Sequence, residues 1–289
     1  MKLSEEDAEQ FYRLWFSLLS FANERRKLVE GWPDSPQLGN IDPNSAIKIR
    51  DAIWADTSLL SLYCESNPSG FSEEDLEIVA AWKHRVAGSF FAIKQTRKYA
   101  LFLDTSERTL YGVTGLISSL EEMIPYFPFL LDAVLIPFKG KIVIDGLFRS
   151  SNIMIGSNMR RSMALQVKDI EDSQGVHLML PPDPLFLRQA VEKGNAKLID
   201  GFRRHLIGSG ASDKVVARNL ETLGALGVWL GSGEPPVSLL RLNLDRARAY
   251  LEAVPDAGPC LKRYARYLED SGRGDSGTVW ELQELRRRG

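Results

Sequence analysis

The feature that most constrains this chain is a change of periodicity in its middle. Five short segments rich in β-branched and aromatic residues follow one another, separated by turn signals: FFAIKQ, KYALFLD, TLYGVTG, LLDAVLIPF and KIVIDGLF. On both sides of this region, apolar residues recur at the spacing of amphipathic helices. The sequence therefore predicts an α+β fold, in which N-terminal helices pack on an antiparallel β-meander and an all-helical C-terminal domain follows.

The join between the last two segments carries the sharpest local prediction. Lys139-Gly140 lies between two apolar runs, and glycine can adopt the positive φ that a two-residue hairpin loop requires. In the fourth segment apolar side chains occupy both sets of alternating positions, so both faces of this strand should be covered. We expect helices on one face and a loop or the second domain on the other.

A proline-rich stretch divides the chain. Residues 171 to 184, EDSQGVHLMLPPDP, have the composition of a boundary, which places an α+β domain at residues 1–180 and a helical domain at residues 181–289. A chain of 289 residues with 44% hydrophobic residues has enough length and apolar content for two packed cores.

Charge is unevenly divided between these two domains. Residues 1–180 hold 19 Lys and Arg against 24 Asp and Glu, and residues 181–289 hold 17 against 14, so the two parts carry −5 and +3. A mildly basic helical domain favours an anionic partner. No apolar run is long enough to cross a bilayer, and the start MKLSEEDAEQ is acidic, so we expect a cytoplasmic protein without a membrane partner.

Cysteine and histidine usage argues against metal and redox chemistry. Cys64 and Cys260 are the only cysteines, and they suggest neither a disulfide framework nor a thiolate metal site. His84, His177 and His205 have no Cys, His or Asp at ligand spacing. We therefore predict no metal site, no cofactor and no small-molecule ligand, and we interpret the protein as non-enzymatic.

Three consecutive motifs stand in the helical domain: FRRHL, the turn IGSGASDK and the helix VVARNLETLGALGVWL. Together they resemble the amino-terminal core-binding, SAM-like domain of tyrosine recombinases, a module that clamps DNA. The resemblance covers about 75 residues, Ala196 to Ser271. Enzymes of that family also carry a catalytic His-x-x-Arg, which none of the three histidines here begins. The resemblance thus implies DNA binding without recombination.

Residues 1–160 resemble a second group of proteins. Segments such as FYRLWFSLLSFAN, SEEDLEIVAAWKHR and AVLIPFKGKIVIDGLF are similar to those of uncharacterised bacterial proteins. This resemblance implies a bacterial origin and no mechanism.

The basic residues of the helical domain are the predicted DNA contacts. Arg203 and Arg204 stand on the polar side of one helix, and Lys214 and Arg218 on the polar side of the next. Such cations would contact phosphates and give affinity for duplex DNA without reading its sequence. The competing interpretation is a solvated helix face. The arginines at residues 286–288 are a second basic cluster, for which the dipole at a helix C-terminus is a sufficient explanation.

Two other functions stay open. The first is a protein-interaction adaptor or homo-oligomeric scaffold, in which the helical domain packs on a protein partner or on itself through Trp229, Tyr264 and Tyr267.

The remote alternative is a metal-dependent nuclease. Asp132 and Asp145 lie close in sequence to Lys139 and Lys141, and carboxylates beside a lysine can hold Mg²⁺ and a water. Hairpin ends are also charged for solubility, which is the simpler explanation of these four residues.

Overall fold

The computed structural model describes residues 1–106, 109–150 and 155–273, and it confirms the α+β class. The chain divides into two compact units, Met1–Gly156 with His177–Pro181, and Ser157–Val176 with Pro182–Gly289. This division differs from a single boundary at residue 180, because residues 157–176 belong to the helical unit and a short stretch afterwards returns to the first unit. Among the described helices, none combines the length and apolarity needed to span a bilayer.

Helices open the first unit. They are α1 (Glu5–Arg26), α2 (Pro43–Ala55), α3 (Ser58–Ser66) and α4 (Glu73–Ala81). α1 and α4 begin after serines whose hydroxyl oxygens accept a hydrogen bond from the backbone N–H three residues later, at 3.2 Å in both cases. Three acidic residues follow each cap and complement the helix dipole. Capping thus accounts for both acidic clusters.

The five predicted strand segments form β1 (Val86–Gln95), β2 (Ala100–Asp104), β3 (Leu110–Thr114), β4 (Phe129–Phe138) and β5 (Lys141–Ser150), with the short helix α5 (Leu120–Met123) between β3 and β4. They close into a barrel in the order β1-β2-β3-β5-β4.

The sheet is mixed, which differs from the predicted antiparallel meander. β3 and β5 pair in parallel, at Val113 with Ile142 and Thr114 with Val143, and the other neighbours are antiparallel. The reason is that the sheet closes into a barrel. β4 pairs with the long, bulged β1, and β5 is therefore left beside β3. Closure also removes the open edges of the sheet. Five-stranded barrels also occur in the OB-fold, whose barrel is partly open.

The β4–β5 hairpin has the predicted two-residue loop. Lys139 and Gly140 have φ of 45° and 70°, and Phe138 pairs with Lys141. The two faces of β4 are both covered, as predicted. Val134 and Ile136 face the core formed with α1 to α4, whereas Leu131, Ala133 and Leu135 face the barrel interior. The second face is thus covered by the sheet's own closure, where we expected a loop or the other domain.

A strap completes the barrel beside β3. The strap is residues 177–181, which return from the helical unit. The amide of Gly112 donates to the carbonyl of His177, and the amide of His177 donates to the carbonyl of Leu110, both at 2.8 Å. A side chain at Gly112 would meet Leu178 and Tyr99 within 3 Å, so glycine is required for this close approach.

The helical unit contains α6 (Ser157–Gln174), α7 (Pro184–Gly208), α8 (Asp213–Gly231), α9 (Leu244–Ala253) and α10 (Gly258–Asp270). α6 packs tightly on α7, since a Cβ on Gly194 would lie 2.5 Å from the Cα of Ser173. This contact is why residues 157–176 join the helical unit. The second basic cluster, the arginines at residues 286–288, lies outside the described residues.

Candidate nucleic-acid interface

α7 and α8 form an antiparallel helical hairpin. Residues 209–212 connect them, Gly210 has a φ of 78°, and the amide of Ala211 donates to the carbonyl of Leu206 at 3.1 Å. Farther along, the side-chain Nδ2 of Asn195 on α7 donates to the carbonyl of Gly227 on α8 at 3.3 Å. The C-terminal end of α7 therefore lies beside the N-terminal end of α8.

Three of the predicted DNA-contacting residues lie at the end of the hairpin where residues 209–212 connect α7 to α8. Arg203 lies five residues before the last residue of α7, and Lys214 and Arg218 are the second and sixth residues of α8. At 1.5 Å per residue, each is within about 9 Å of the connecting turn along its helix axis. All three side chains are exposed. We call these three residues the basic end.

Lys214 and Arg218 form one stripe. They are four residues apart and so project from the same side of α8, opposite the buried residues Val216, Leu223 and Leu230. Within the part of the chain that the structure describes, no carboxylate oxygen lies within 4.0 Å of Arg203, Lys214 or Arg218. Their charges are thus available to a partner.

Arg204 differs from its neighbour. It forms an ion pair with Asp200 at 2.9 Å on the same helix. Successive helix residues project about 100° apart, so Arg203 and Arg204 point in different directions.

Arg204 also lines a cavity of about 240 Å³ in which cations and carboxylates neutralise each other. Lys197 pairs there with Asp172, and Arg273 lies 4.0 Å from Asp169. Burial raises the pKa of Asp169. The predicted set of four cations therefore separates into three free residues and one internally paired residue.

Two of the three aromatic residues of the adaptor hypothesis are buried, which corrects that prediction. Tyr264 is 0% exposed and Tyr267 is 5% exposed, and both rings pack on Phe202 with centroids 5.7 Å apart. The reason is helical periodicity, because both tyrosines fall on the apolar stripe that α10 turns toward the core. Trp229 remains 41% exposed.

An exposed apolar group at the other end of the hairpin was missed by the sequence analysis. Val228 is 73% exposed beside Trp229 near the end of α8, and Leu185 is 62% exposed at the start of α7. An ion pair between Arg188 and Glu234, at 3.2 Å, joins the same two regions. The signal was present in the sequence, since Val228 lies off the buried stripe of α8.

The four residues of the nuclease hypothesis are not gathered into a site. Lys139 and Lys141 both approach Asp7, at 2.7 and 3.6 Å. Asp132 is exposed and accepts a hydrogen bond from Ser89. Asp145 is fully buried away from the hairpin loop. Within the described ranges, no three His, Cys, Asp or Glu residues are grouped as a metal site would require.

Asp145 is instead the centre of a buried network. Its carboxylate accepts hydrogen bonds from the indole N–H of Trp54 at 2.8 Å and the amide of Leu147 at 3.2 Å. The guanidinium of Arg50 lies 3.6 Å away and also donates to the carbonyl of Leu147. Burial raises the pKa of Asp145 to about 7, although Arg50 opposes the shift. The network joins α2 to β5 and is structural.

The face of the barrel that binds oligonucleotides in OB-folds is closed here. In that fold the ligand lies over strands β2 and β3. The outward side chains of these strands are Leu101, Leu103 and Leu110, all buried. Among the described residues of β2 and β3, the outward side chains therefore include neither an aromatic ring nor a cation.

Comparison with protein families, with curated proteins and with solved structures finds no match to this chain. A function therefore has to be argued from the geometry of the sites described above.

Proposed function

We propose that this is a non-enzymatic binding protein whose helical unit contacts duplex DNA through the basic end, Arg203, Lys214 and Arg218. The observation that supports the proposal is the state of these three cations. They are exposed, lie at one end of the α7–α8 hairpin, and have no ion-pair partner among the described residues. Arg204 has a smaller part, because Asp200 already compensates its charge.

The expected binding is weak and insensitive to DNA sequence. Cations on helix faces contact phosphates, and each neutralised phosphate releases counterions. Three contacts predict a slope of about −2.7 in the logarithm of the binding constant against the logarithm of the salt concentration. We expect a dissociation constant in the range of non-specific binding, on the order of 10⁻⁴ to 10⁻⁶ M.

Fluorescence anisotropy with a labelled 20-base-pair duplex tests the proposal on the full chain. The double substitution Lys214→Ala with Arg218→Ala should weaken binding at least tenfold at low salt and reduce the salt slope by about two phosphate contacts. Arg203→Ala and Arg204→Ala are a matched pair of neighbouring substitutions, and the first should weaken binding more. Absence of binding at low salt, or equal effects of Arg203→Ala and Arg204→Ala, contradicts the proposal.

The exposed apolar group of the hairpin supports a second candidate, an adaptor or homo-oligomeric scaffold. This second candidate function depends on Val228, Trp229 and Leu185, because Tyr264 and Tyr267 are buried. Large apolar side chains exposed to water at one end of a helical hairpin favour association with a partner surface. Light scattering should then give the mass of an oligomer, and Val228→Ser with Trp229→Ser should return it to a monomer.

A further inference from the structure

The outer side of α1 in the first unit carries a groove that has no part in the DNA-binding proposal. Two adjoining cavities, of about 700 and 470 Å³, share Arg13, Phe16 and Pro36. Their lining follows α1 from Glu5 to Glu24, a distance of about 28 Å along the helix axis. We call this continuous depression the α1 groove.

The floor and walls of the α1 groove offer apolar surface. Tyr12 and Phe16 are partly buried in its floor, with ring centroids 5.4 Å apart. Leu38 and Ile117 line its walls, and each is about half exposed. Large apolar side chains that converge on a concave surface are typical of a place where a partner inserts apolar groups.

The charge of the α1 groove is negative and largely uncompensated. Four carboxylates line it, Glu5, Glu9, Glu24 and Asp34, and within the described residues no basic side chain pairs with them inside 4.0 Å.

The central cation of the groove does not compensate these carboxylates. Arg13 lies 2.9 Å from Asp75 and 4.9 Å from the ring centroid of Phe71, so its charge is already engaged. Lys2 supplies a cation at one end only. A ligand rich in phosphate would be repelled along most of the groove.

We propose that the α1 groove binds a peptide segment of a partner protein, with apolar side chains that enter the cavities and Lys or Arg side chains that meet the carboxylates. A length of about 28 Å fits roughly 8 extended residues or about 19 helical ones. Charge complementarity selects a basic segment, and the aromatic floor selects an apolar face on it. This proposal is independent of DNA binding, which uses the helical unit.

Binding of two designed peptides to the full chain tests the proposal. Both are fluorescein-labelled 18-residue amphipathic peptides with the same leucine pattern, and the remaining positions are lysine in one and glutamate in the other. The leucine–lysine peptide should bind at least tenfold more tightly than the leucine–glutamate peptide. Binding of neither peptide, or equal binding of both, overturns the proposal.

Substitutions then distinguish the groove from general attraction to an acidic protein. Glu9→Lys with Glu24→Lys should weaken binding of the leucine–lysine peptide at least tenfold. The control, Glu65→Lys with Glu77→Lys, makes the same charge change at exposed positions outside the groove and should weaken it less than twofold. Equal effects of the two double variants overturn the proposal.

A second pair of variants tests the apolar walls without touching the core. Leu38→Ser with Ile117→Ser should weaken binding about fivefold. The control Leu62→Ser changes an exposed leucine of α3 that does not line the groove. Because Leu38 and Ile117 lie outside the helices and strands, circular dichroism should show unchanged folding. Binding that the wall variants leave unaltered also overturns the proposal.

Discussion

The buried network around Asp145 and the basic end of the helical unit use charge in opposite ways. Asp145 is surrounded by Arg50, the indole of Trp54 and a backbone amide, and it is removed from water. Lys214 and Arg218 face solvent and have no ion-pair partner among the described residues. A buried charged group needs fixed partners within the fold, whereas a free exposed charge contributes little to stability and can serve binding.

Removal of the buried carboxylate should have the largest effect. Arg50 keeps its ion pair with Asp51 at 2.8 Å, but Asp145→Ala removes the acceptor of the indole N–H of Trp54 and of the amide of Leu147. A buried donor left without an acceptor costs about 1–3 kcal/mol in the free energy of unfolding. Urea denaturation, monitored by tryptophan fluorescence, measures this change in the free energy of unfolding. Asp132→Ala, at an exposed carboxylate on the neighbouring strand, is the control and should cost less than about 0.5 kcal/mol. Similar losses for both variants would show that Asp145 is not a structural charge.

The change of the free energy of unfolding with pH should be intermediate in size among these predicted effects. Its sign should be unusual for a carboxyl group. The pKa of Asp145 is about 7 in the folded protein and 3.8 as the ordinary value, so the folded state binds more protons between these limits. Stability should therefore fall as pH rises from about 4 to 7 through this group.

Asp145→Asn isolates that contribution, because the amide does not titrate. The other carboxylates titrate in both proteins, and those with lowered pKa, such as Asp7 and Asp75, act mainly below pH 4. Unfolding free energies at pH 5 and pH 7 should therefore differ between the two proteins. The variant should lose the decrease with pH that the wild type shows, and an identical pH profile would contradict the raised pKa.

The smallest effect on stability should come from the basic end. Lys214→Ala with Arg218→Ala removes two exposed charges and should change the free energy of unfolding by less than about 0.5 kcal/mol. Arg204→Ala breaks an exposed ion pair and should cost up to about 1 kcal/mol. Thermal denaturation of the three proteins gives the comparison. A loss of several kcal/mol for the double variant would mean that these cations stabilise the fold.

Local sequence signals predicted most of the helices and strands. The features that they did not predict depend on contacts between residues far apart in the sequence. The strand segments and the loop at Lys139-Gly140 follow from residue type and turn chemistry, which act over a few neighbours. The parallel pairing of β3 with β5 depends on how the whole sheet closes, which no local pattern contains. The Arg50–Asp145 pair joins residues far apart in sequence and was missed for the same reason.

The helical unit shows the same limit at two positions. Gly194 and Asn195 are residue types that often end a helix, but α7 continues through them. Gly194 allows close contact with Ser173, and the side chain of Asn195 accepts a hydrogen bond from the amide of Leu239 at 2.8 Å. Residues that normally end a helix are here used for packing. The predicted exposure of Tyr264 was wrong because Tyr264 lies on the apolar stripe that α10 turns toward the core.

The strap gives the chain a path that crosses between its two units three times, after residues 156, 176 and 181. Neither unit is therefore one continuous stretch of sequence. A fragment that ends at residue 156 would lack the peptide groups that pair with Gly112 and Leu110, and a fragment that begins at residue 182 would lack α6. Truncation would thus damage both units, and separate roles for them are better assigned by point substitutions in the intact chain.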